Sequence, residues 1–268
     1  MSEYKVLVSD YDGTLANSNN DISKENLSAI NDYISRGGIF VLSSGRATDG
    51  ISKILIKQGF KGLLSSFNGA VLYDLTAQKI LASKCVTNDL CKRFAKYASE
   101  HGLYYHFYGE TGFLFPFETA RTSLYENLTG VKGKRVEDMQ AFFEQTSMET
   151  PKILIFDDEN KLDDNFDALT QLLPECEVVR STENMIDINL KGVNKGYALT
   201  MIGEHFNTPV STLIAVGDAG NDIAMIERAG LSFAVSNATQ EIKQVADIVL
   251  PVSNDENAVK YIIENYLT

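Results

Sequence analysis

Short apolar runs and amphipathic stretches alternate at the beginning and at the end of the chain. Apolar runs bounded by turn residues predict buried strands, and apolar positions three or four residues apart predict helices that cover them. In chain order, these segments are Lys5–Ser9, Ser23–Arg36, Ile39–Leu42, Asp49–Gln58, Leu63–Ser66, Val71–Tyr73 and Lys79–Leu81, and then Lys195–His205, Leu213–Val216, Asp222–Ala229, Leu231–Val235, Gln240–Val245, Ile248–Leu250 and Asn257–Tyr266. This alternation predicts an α/β fold with an open parallel sheet.

The pattern changes from about Ser83 onward. Aromatic strand-like runs follow one another here, and the pairing they suggest is that of neighbouring strands without regular crossovers. The predicted elements are a helix at Asn88–His101, strands at Leu103–Tyr108 and Gly112–Phe117, a helix at Val136–Thr146 within an irregular segment, a strand at Lys152–Phe156, a helix at Leu162–Leu173, and strands at Val178–Arg180 and Met185–Leu190. We therefore predict that residues 83–187 form an inserted α+β domain, and that residues 1–82 and 188–268 form one discontinuous core.

Composition narrows the class of protein. The 268 residues carry a net charge of −12, which disfavours nucleic acid as a partner because phosphate-backbone binding needs clustered Lys and Arg. The first residues lack the apolar core of a signal peptide, and no apolar run has the length of a membrane span. The three cysteines, Cys85, Cys91 and Cys176, are odd in number and without C-x-x-C spacing, which predicts reduced thiols. We expect a cytoplasmic protein.

Three predicted core strands end in polar, turn-forming sequences. These are Asp10-Tyr11-Asp12-Gly13, Ser44-Gly45-Arg46 and Gly217-Asp218-Ala219-Gly220-Asn221-Asp222. Open parallel sheets bind ligands at the carboxyl ends of their strands, so these sequences predict two acidic clusters and a hydroxyl-plus-amide cradle at one edge. Asp10 and Asp12 would project to the same side if the backbone stayed extended. Taken singly, each sequence also fits a solvated turn or a helix start.

Lys195 stands at an unusual place. It begins a predicted helix directly after Asn194, a good N-cap, where a cation opposes the helix dipole. One interpretation is a solvated lysine that carries a mild penalty. The other is a lysine that holds an anion against the edge of the sheet.

Together these motifs resemble those of the haloacid dehalogenase superfamily. The segment from Asp10 to Thr14 is similar to the first motif, Ser44-Gly45-Arg46 to the second, Lys195 to the third, and Gly217-Asp218 with Asn221-Asp222 to the fourth, all in the family's order. The resemblance spans nearly the whole chain.

The inserted block at 83–187 resembles the large α/β cap of the Cof-type phosphatases within that superfamily. Asn68-Gly69-Ala70 before it is typical of this subfamily, which more often has threonine where this chain has Ser44. The resemblance implies a Rossmann-like, doubly wound parallel-sheet core with an inserted α+β cap domain.

The resemblance also implies roles for the motif residues. Asp10 would be the nucleophile that forms a phospho-aspartate, and Asp12 would protonate the leaving alcohol and later activate water. Ser44, the Gly45 amide and Lys195 would hold the phosphoryl oxygens.

A magnesium site is implied by the same resemblance. Asp10, the backbone carbonyl of Asp12, and Asp218 would be its ligands, an oxygen-only set that suits Mg²⁺. Asp222 would orient these ligands, and Asn221 would contact the phosphate or the metal.

The function expected from these motifs is magnesium-dependent hydrolysis of phosphate monoesters of small metabolites, with sugar phosphates as the expected substrates. Two alternatives stay open, namely phosphomutase-type transfer and a sensor module that is phosphorylated on Asp10 without turnover. The oligomeric state is not predicted. Candidate substrate contacts in the inserted block, each of which also fits sheet packing or a solvated charge, are His106, Tyr108, Glu118, Arg121, Tyr125 and Arg180.

Overall fold

The computed structural model of the protein describes residues 5–109 and 111–267. Contacts within the chain define two compact units. Unit 1 comprises the described parts of Met1–Arg46, Ile51–Ser83 and Val193–Thr268, and unit 2 comprises those of Ala47–Gly50 and Lys84–Gly192. The functional division into a catalytic core and a cap stays a prediction.

The described residues form strands and helices throughout their length. The strands are β1 Val6–Asp10, β2 Ile39–Ser43, β3 Leu63–Ser66, β4 Val71–Asp74, β5 Lys79–Ser83, β6 Tyr105–Tyr108, β7 Phe113–Phe115, β8 Gly133–Arg135, β9 Ile153–Phe156, β10 Cys176–Thr182, β11 Met185–Leu190, β12 Leu213–Gly217, β13 Leu231–Ala234 and β14 Ile248–Val249. The α-helices are α1 Lys24–Ser35, α2 Thr48–Lys57, α3 Asn88–Glu100, α4 Ala120–Thr129, α5 Met139–Gln145, α6 Glu159–Leu172, α7 Lys195–Phe206, α8 Ile223–Ile226, α9 Gln240–Val245 and α10 Ala258–Tyr266.

Unit 1 is built on one sheet with the strand order β14-β13-β12-β1-β2-β3-β4-β5. The six strands from β14 to β3 are parallel, and β4 and β5 complete the edge as antiparallel strands. Helices cover both faces, with α1 against α10 and α7 against α8. The predicted α/β fold with a doubly wound, Rossmann-like core is therefore confirmed.

The order of the strands fixes where a ligand site can lie. The chain moves from β1 through β2 to β3 on one side, and later returns through β12 to β13 and β14 on the other side. The winding direction thus reverses between β1 and β12, and in open α/β sheets ligands bind at the carboxyl ends of the strands beside such a switch point. In register, Asp10 lies opposite Ser43 of β2, and Ser9 lies opposite Val216 of β12.

Unit 2 is built on a separate sheet with the strand order β10-β11-β9-β6-β7-β8. Neighbouring strands are antiparallel except for β7 and β8. Its buried apolar core includes Phe94 of α3, Phe107 of β6, Phe143 of α5, Ile155 of β9 and Leu169 of α6. The sequence predicted that strands which follow one another in this part of the chain would pair. The pairs β6 with β7 and β10 with β11 confirm this prediction.

Two elements of unit 2 lie where the sequence predicted an irregular segment. Helix α4 is capped by Thr119, whose side chain accepts a hydrogen bond from the Arg121 N–H, and it ends at Gly130, where φ is +68°. Leu124 and Leu128 lie on its exposed face. The apolar residues of α4 therefore do not form the buried stripe by which an amphipathic helix is recognised in a sequence. Strand β8 is only three residues long, too short for a period-two pattern to be recognised.

The described residues provide two further structural facts. None of their helices combines the length and the apolar character needed to cross a bilayer. Among these residues, Cys85, Cys91 and Cys176 are not joined in disulfides, which agrees with the predicted reduced thiols, and the last two are buried.

A glycine controls how closely α7 can approach its neighbour. A Cβ at Gly196 would lie 2.3 Å from the carbonyl oxygen of Ala224. Gly→Ala normally stabilises a helix interior by about 1 kcal/mol. We predict the opposite sign for Gly196→Ala, a loss of about 1–3 kcal/mol, because backbone must move to admit the methyl group.

Urea unfolding of Gly196→Ala and of a matched control tests this close approach. Gly220→Ala is the control, because a Cβ at Gly220 meets nothing within 4 Å, so its stability should stay within about 0.5 kcal/mol of the parent. Equal stability of the two variants would contradict the close approach at Gly196.

Candidate active site

Asp10 is the last residue of β1 and is buried, with 4% of its surface exposed. The chain then turns through Tyr11–Leu15, and Gly13 adopts φ +74°. A Cβ at Gly13 would lie 2.5 Å from Oδ2 of Asp218, so glycine allows the Asp218 carboxylate to approach this turn. The Thr14 hydroxyl donates to Oδ1 of Asp218 over 2.9 Å. The turn after β1 and the loop after β12 are thereby joined.

Lys195 lies at the start of α7 and is 1% exposed. Its Nζ donates to Oδ1 of Asp10 over 2.5 Å and to Oδ1 of Asp222 over 2.6 Å. Asn194 caps the helix as predicted, its side chain accepting from the Tyr197 N–H. The interpretation of a solvated lysine is wrong, because two carboxylates enclose the ammonium group of Lys195 at the start of α7.

Asp222 uses both of its oxygens. While Oδ1 accepts from Lys195, Oδ2 accepts from the backbone N–H groups of Asp218 and Ala219 over 3.0 and 3.2 Å. The side chain therefore fixes the loop after β12 and presents Asp218 at the edge of the sheet. Asn221, in the same loop, is exposed.

Asp10, Asp218 and Asp222 form one acidic group, in which one carboxylate oxygen from each residue lies within 4.8 Å of the others. Burial raises the pKa of Asp10 well above its usual value, against the pull of Lys195, and Asp222 raises it further. Burial likewise raises the pKa of Asp218. Burial alone would lower the pKa of Lys195, but Asp10 and Asp222 outweigh it and the pKa is raised, so this cation is retained.

One lysine faces three carboxyl groups, so full ionisation would leave net negative charge, and the raised pKa of Asp10 and of Asp218 agrees with this charge being disfavoured without a further cation. The candidate ligand atoms are all oxygens, and glycine at position 13 lets the Asp218 carboxylate lie close to the turn that follows Asp10. A hard divalent cation such as Mg²⁺ prefers this kind of ligand set. The residues of this edge therefore fit a magnesium ion.

Asp12 is not one of the three carboxylates of this acidic group. The backbone is not extended throughout this segment, because the chain turns through Tyr11–Leu15, although Asp12 itself is extended, with φ −74° and ψ 120°, and Gly13 follows at φ +74°. The Asp12 carboxylate is half exposed and binds Arg46, whose Nε and Nη2 donate over 3.1 and 2.5 Å. This pair was not predicted from the sequence, although Arg46 follows Ser44 by only two residues.

Ser44 and Gly45 follow β2, beside Asp10. Ser44 is buried, its Oγ accepts from the Arg46 N–H over 3.2 Å, and its carbonyl oxygen accepts from the Asn68 N–H over 3.1 Å. A Cβ at Gly45 would lie 2.8 Å from Oδ1 of Asn68. The predicted hydroxyl-plus-amide segment is thus held against the segment that follows β3.

Five of the six candidate substrate contacts of unit 2, all except Glu118, have partners within that unit. His106 is buried, bonds to the Tyr104 hydroxyl and stacks on Phe113, and burial lowers its pKa to about 3, so it is neutral. The remaining contacts of these candidates are Tyr108 with Tyr125, Arg121 with Asp158, and Arg180 with Asp163, while Glu118 is exposed.

The buried ion pairs make Lys195 a structural as well as a chemical residue. A solvated lysine at a helix start would leave stability unchanged or raise it slightly when removed. We predict instead that Lys195→Met lowers the free energy of unfolding by about 3 kcal/mol without added metal, because buried carboxylates lose their cation. Urea unfolding measures the loss.

Two controls separate this effect from a general loss of lysine. Lys92→Met breaks an exposed pair with Asp89 and should cost no more than about 1 kcal/mol. Adding Asp222→Asn to Lys195→Met should restore part of the loss, since one fewer carboxylate is left unpaired. A single Lys195→Met variant as stable as Lys92→Met would contradict the buried pairing.

Comparison with known proteins agrees with the fold and the motifs. The chain is 26% identical over 286 residues to the 5-amino-6-(5-phospho-D-ribitylamino)uracil phosphatase YwtE of Bacillus subtilis, covering 98% of each chain. It is 25% identical over 287 residues to phosphatase YwpJ of the same organism, covering 98% of this chain and 100% of the relative.

Among solved structures, the chain is similar to a haloacid dehalogenase-like hydrolase from Bacteroides thetaiotaomicron. The TM-score is 0.81 and the sequence identity is 27%, and the match covers 97% of this chain and 98% of the other. The sequence model of the haloacid dehalogenase-like hydrolases matches residues 7–263. The resemblance seen in the motifs is thus confirmed, and this chain belongs to the haloacid dehalogenase-like hydrolases.

Proposed function

We propose that this protein is a magnesium-dependent phosphatase that hydrolyses phosphate monoesters of small metabolites through a phospho-aspartate on Asp10. The observation that carries the proposal is the enclosed group of Lys195, Asp10 and Asp222, with Asp218 beside it at the switch point of the sheet. Such a group offers a nucleophile, a fixed cation and a set of oxygen ligands within one edge.

Asp10 is the proposed nucleophile. One carboxylate oxygen attacks phosphorus, the bond from phosphorus to the leaving oxygen breaks, and an acyl phosphate forms. Lys195, held within 2.5 Å of Oδ1 of Asp10, orients the attacking carboxylate and offsets the negative charge of an incoming phosphoryl group. Ser44 and the Gly45 amide are the proposed hydrogen-bond donors to the phosphoryl oxygens, and Asn221 is a further proposed contact.

Asp12 is the proposed general acid and base. It gives its proton to the leaving alcohol as the ester bond breaks, and it takes a proton from the water that later attacks the phospho-aspartate. Its exposed position beside the turn suits a group that exchanges protons with substrate and water.

Asp10, the Asp12 carbonyl and Asp218 are the proposed magnesium ligands, with Asp222 holding the loop that carries Asp218. When bound, the ion would neutralise charge on the carboxylates and on the phosphoryl group. The unbalanced negative charge of the acidic group supports this assignment.

The substrate class is proposed from two lines of support. A relative that matches over nearly its whole length is named for a phosphorylated ribityl compound, which supports a small polyol or sugar phosphate. We propose that residues 83–187 form the cap that selects among such substrates, while residues 1–82 and 188–268 carry the chemistry. A net charge of −12 supports a small metabolite rather than nucleic acid as the partner, and we propose the cytoplasm as its location.

Asp10→Asn tests the covalent step. We expect turnover of p-nitrophenyl phosphate to fall by at least about a thousandfold with the fold retained, because the amide is nearly isosteric but a poor nucleophile. Steady-state rates and circular dichroism measure both properties. Asp32→Asn, an exposed change on α1, is the control and should keep full activity.

Retention of substantial activity in Asp10→Asn would rule out the phospho-aspartate mechanism. A sensor module would instead take up one phosphate per chain and release it without continued turnover, which a time course of phosphate release distinguishes from hydrolysis.

Metal exchange tests the ion. EDTA should abolish phosphate release, Mg²⁺ should restore it, and Ca²⁺ should restore little at saturation. Calcium accepts longer bonds and more ligands, which lets the Asp10 carboxylate bind with both oxygens and lose its attacking one. Equal rates with the two ions would count against this site.

A further inference from the structure

Arg46 makes a two-point contact with Asp12. Its Nε donates to Oδ2 over 3.1 Å and its Nη2 donates to Oδ1 over 2.5 Å, so both carboxylate oxygens are engaged. Paired bonds of this kind fix the orientation of a carboxylate as well as its distance. Asp12 is therefore held in a defined direction although its side chain is half exposed.

The backbone of Arg46 is fixed in turn. Its N–H donates to Oγ of Ser44, and its carbonyl oxygen accepts from the N–H of Phe67 over 3.1 Å. Phe67 adopts φ +52° and Asn68 adopts φ +54°, a left-handed conformation that is uncommon for residues other than glycine. The guanidinium lies 5.5 Å from the centre of the Tyr11 ring. These contacts hold both the backbone and the side chain of Arg46. They therefore fix the position of the guanidinium group that binds Asp12.

The two-point contact alone does not distinguish Arg46. Arg93 makes a similar fork with Glu175, with Nη1 and Nη2 each 3.3 Å from a carboxylate oxygen and with the same exposed fraction, 41% of the arginine side chain. What differs is the partner, because Asp12 lies two residues from the proposed nucleophile. Exposed pairs contribute little to stability, which leaves orientation as the consequence of the Arg46 pair.

We infer that Arg46 is the positioning residue for the general acid and base Asp12, and that it acts on proton transfer rather than on the phosphoryl group. This inference rests on the proposed function. In the first half-reaction, the Asp10–phosphorus bond forms, the ester P–O bond breaks, and the Asp12 proton passes to the leaving oxygen. Asp12 is left as a carboxylate, the form whose two oxygens Arg46 binds. In the second half-reaction, Asp12 takes a proton from water as the water oxygen bonds to phosphorus and Asp10 is released.

The inference predicts a dependence on the leaving group. An alkoxide is a poor leaving group and needs the proton of Asp12, whereas p-nitrophenolate leaves without it. The value of kcat/KM covers binding through the first half-reaction only, so it isolates this step from the attack of water. Loss of Arg46 should therefore reduce kcat/KM for an alkyl phosphate and spare kcat/KM for p-nitrophenyl phosphate.

The experiment compares Arg46→Met and Arg46→Lys with the parent, using 2-glycerol phosphate and p-nitrophenyl phosphate with Mg²⁺. For Arg46→Met we expect kcat/KM for the alkyl ester to fall by about 10- to 100-fold, since misplacing a reacting group by about 1 Å costs this much. The aryl ester should change by less than about threefold. Arg46→Lys keeps the charge and loses the fork, so it should restore less than half of the loss on a logarithmic scale.

A double-mutant cycle with Asp12→Asn gives the decisive comparison. Once Asp12 cannot transfer a proton, removing Arg46 should cost nothing further on the alkyl ester. Equal losses on both substrates, or a loss by Arg46→Met that persists in the Asp12→Asn background, would show that Arg46 acts on the phosphoryl group and would overturn the inference. Unchanged kinetics of Arg46→Met beside a strongly impaired Asp12→Asn would also overturn it.

Failure of the proposed function would look different, because Asp12→Asn itself would then retain its activity on the alkyl ester. Arg93→Met is the matched control for the loss of an exposed arginine fork. It should keep parental kcat/KM on both esters, and its melting temperature should match that of Arg46→Met to within about 2 °C.

Discussion

The charge balance around Lys195 is the constraint on which the rest of the site depends. A buried ammonium group and buried carboxylates are each costly to remove from water, and removing one partner leaves the other uncompensated. The pairs that Lys195 makes with Asp10 and Asp222 therefore join the start of α7 to the end of β1 and to the loop after β12. This arrangement brings pairs of backbone segments so close together that a Cβ atom would not fit between them. Glycine is therefore needed at Gly69, which faces the carbonyl of Asn194, and at Gly196, which faces the carbonyl of Ala224.

Topology explains why these residues, distant in sequence, meet. Asp10 and Asp222 are separated by more than two hundred residues, yet β1 and β12 are direct neighbours because the winding reverses between them. The bonds that cross this gap, from Thr14 to Asp218 and from Lys195 to both carboxylates, are the ones that the switch point makes possible. A parallel sheet with this strand order thus supplies the position, and polar residues at the strand ends supply the chemistry.

Much of this could be predicted from the sequence where periodicity is strong and local. The bounds of β11 at Met185–Leu190 and of α9 at Gln240–Val245 agree with the apolar pattern, and the strand ends predicted the common edge of the motifs. Helix α4 could not be predicted in this way, since its leucines face outward. The partners of Lys195 and the pairing of Asp12 with Arg46 depend on tertiary packing and on the turn through Tyr11–Leu15, which no local pattern encodes.

The two aspartates of the turn after β1 have different surroundings. Asp10 is buried and faces an ammonium group in an acidic cluster, whereas Asp12 is half exposed and faces a guanidinium that engages both of its oxygens. Two carboxyl groups with separate environments can take separate tasks, one as nucleophile and one as proton carrier. Lysine suits the first because its point charge engages only one oxygen of Asp10. Arginine suits the second because its fork fixes direction. Both acids are aspartates, so the proposed roles of nucleophile and proton carrier differ through the cation that each aspartate faces.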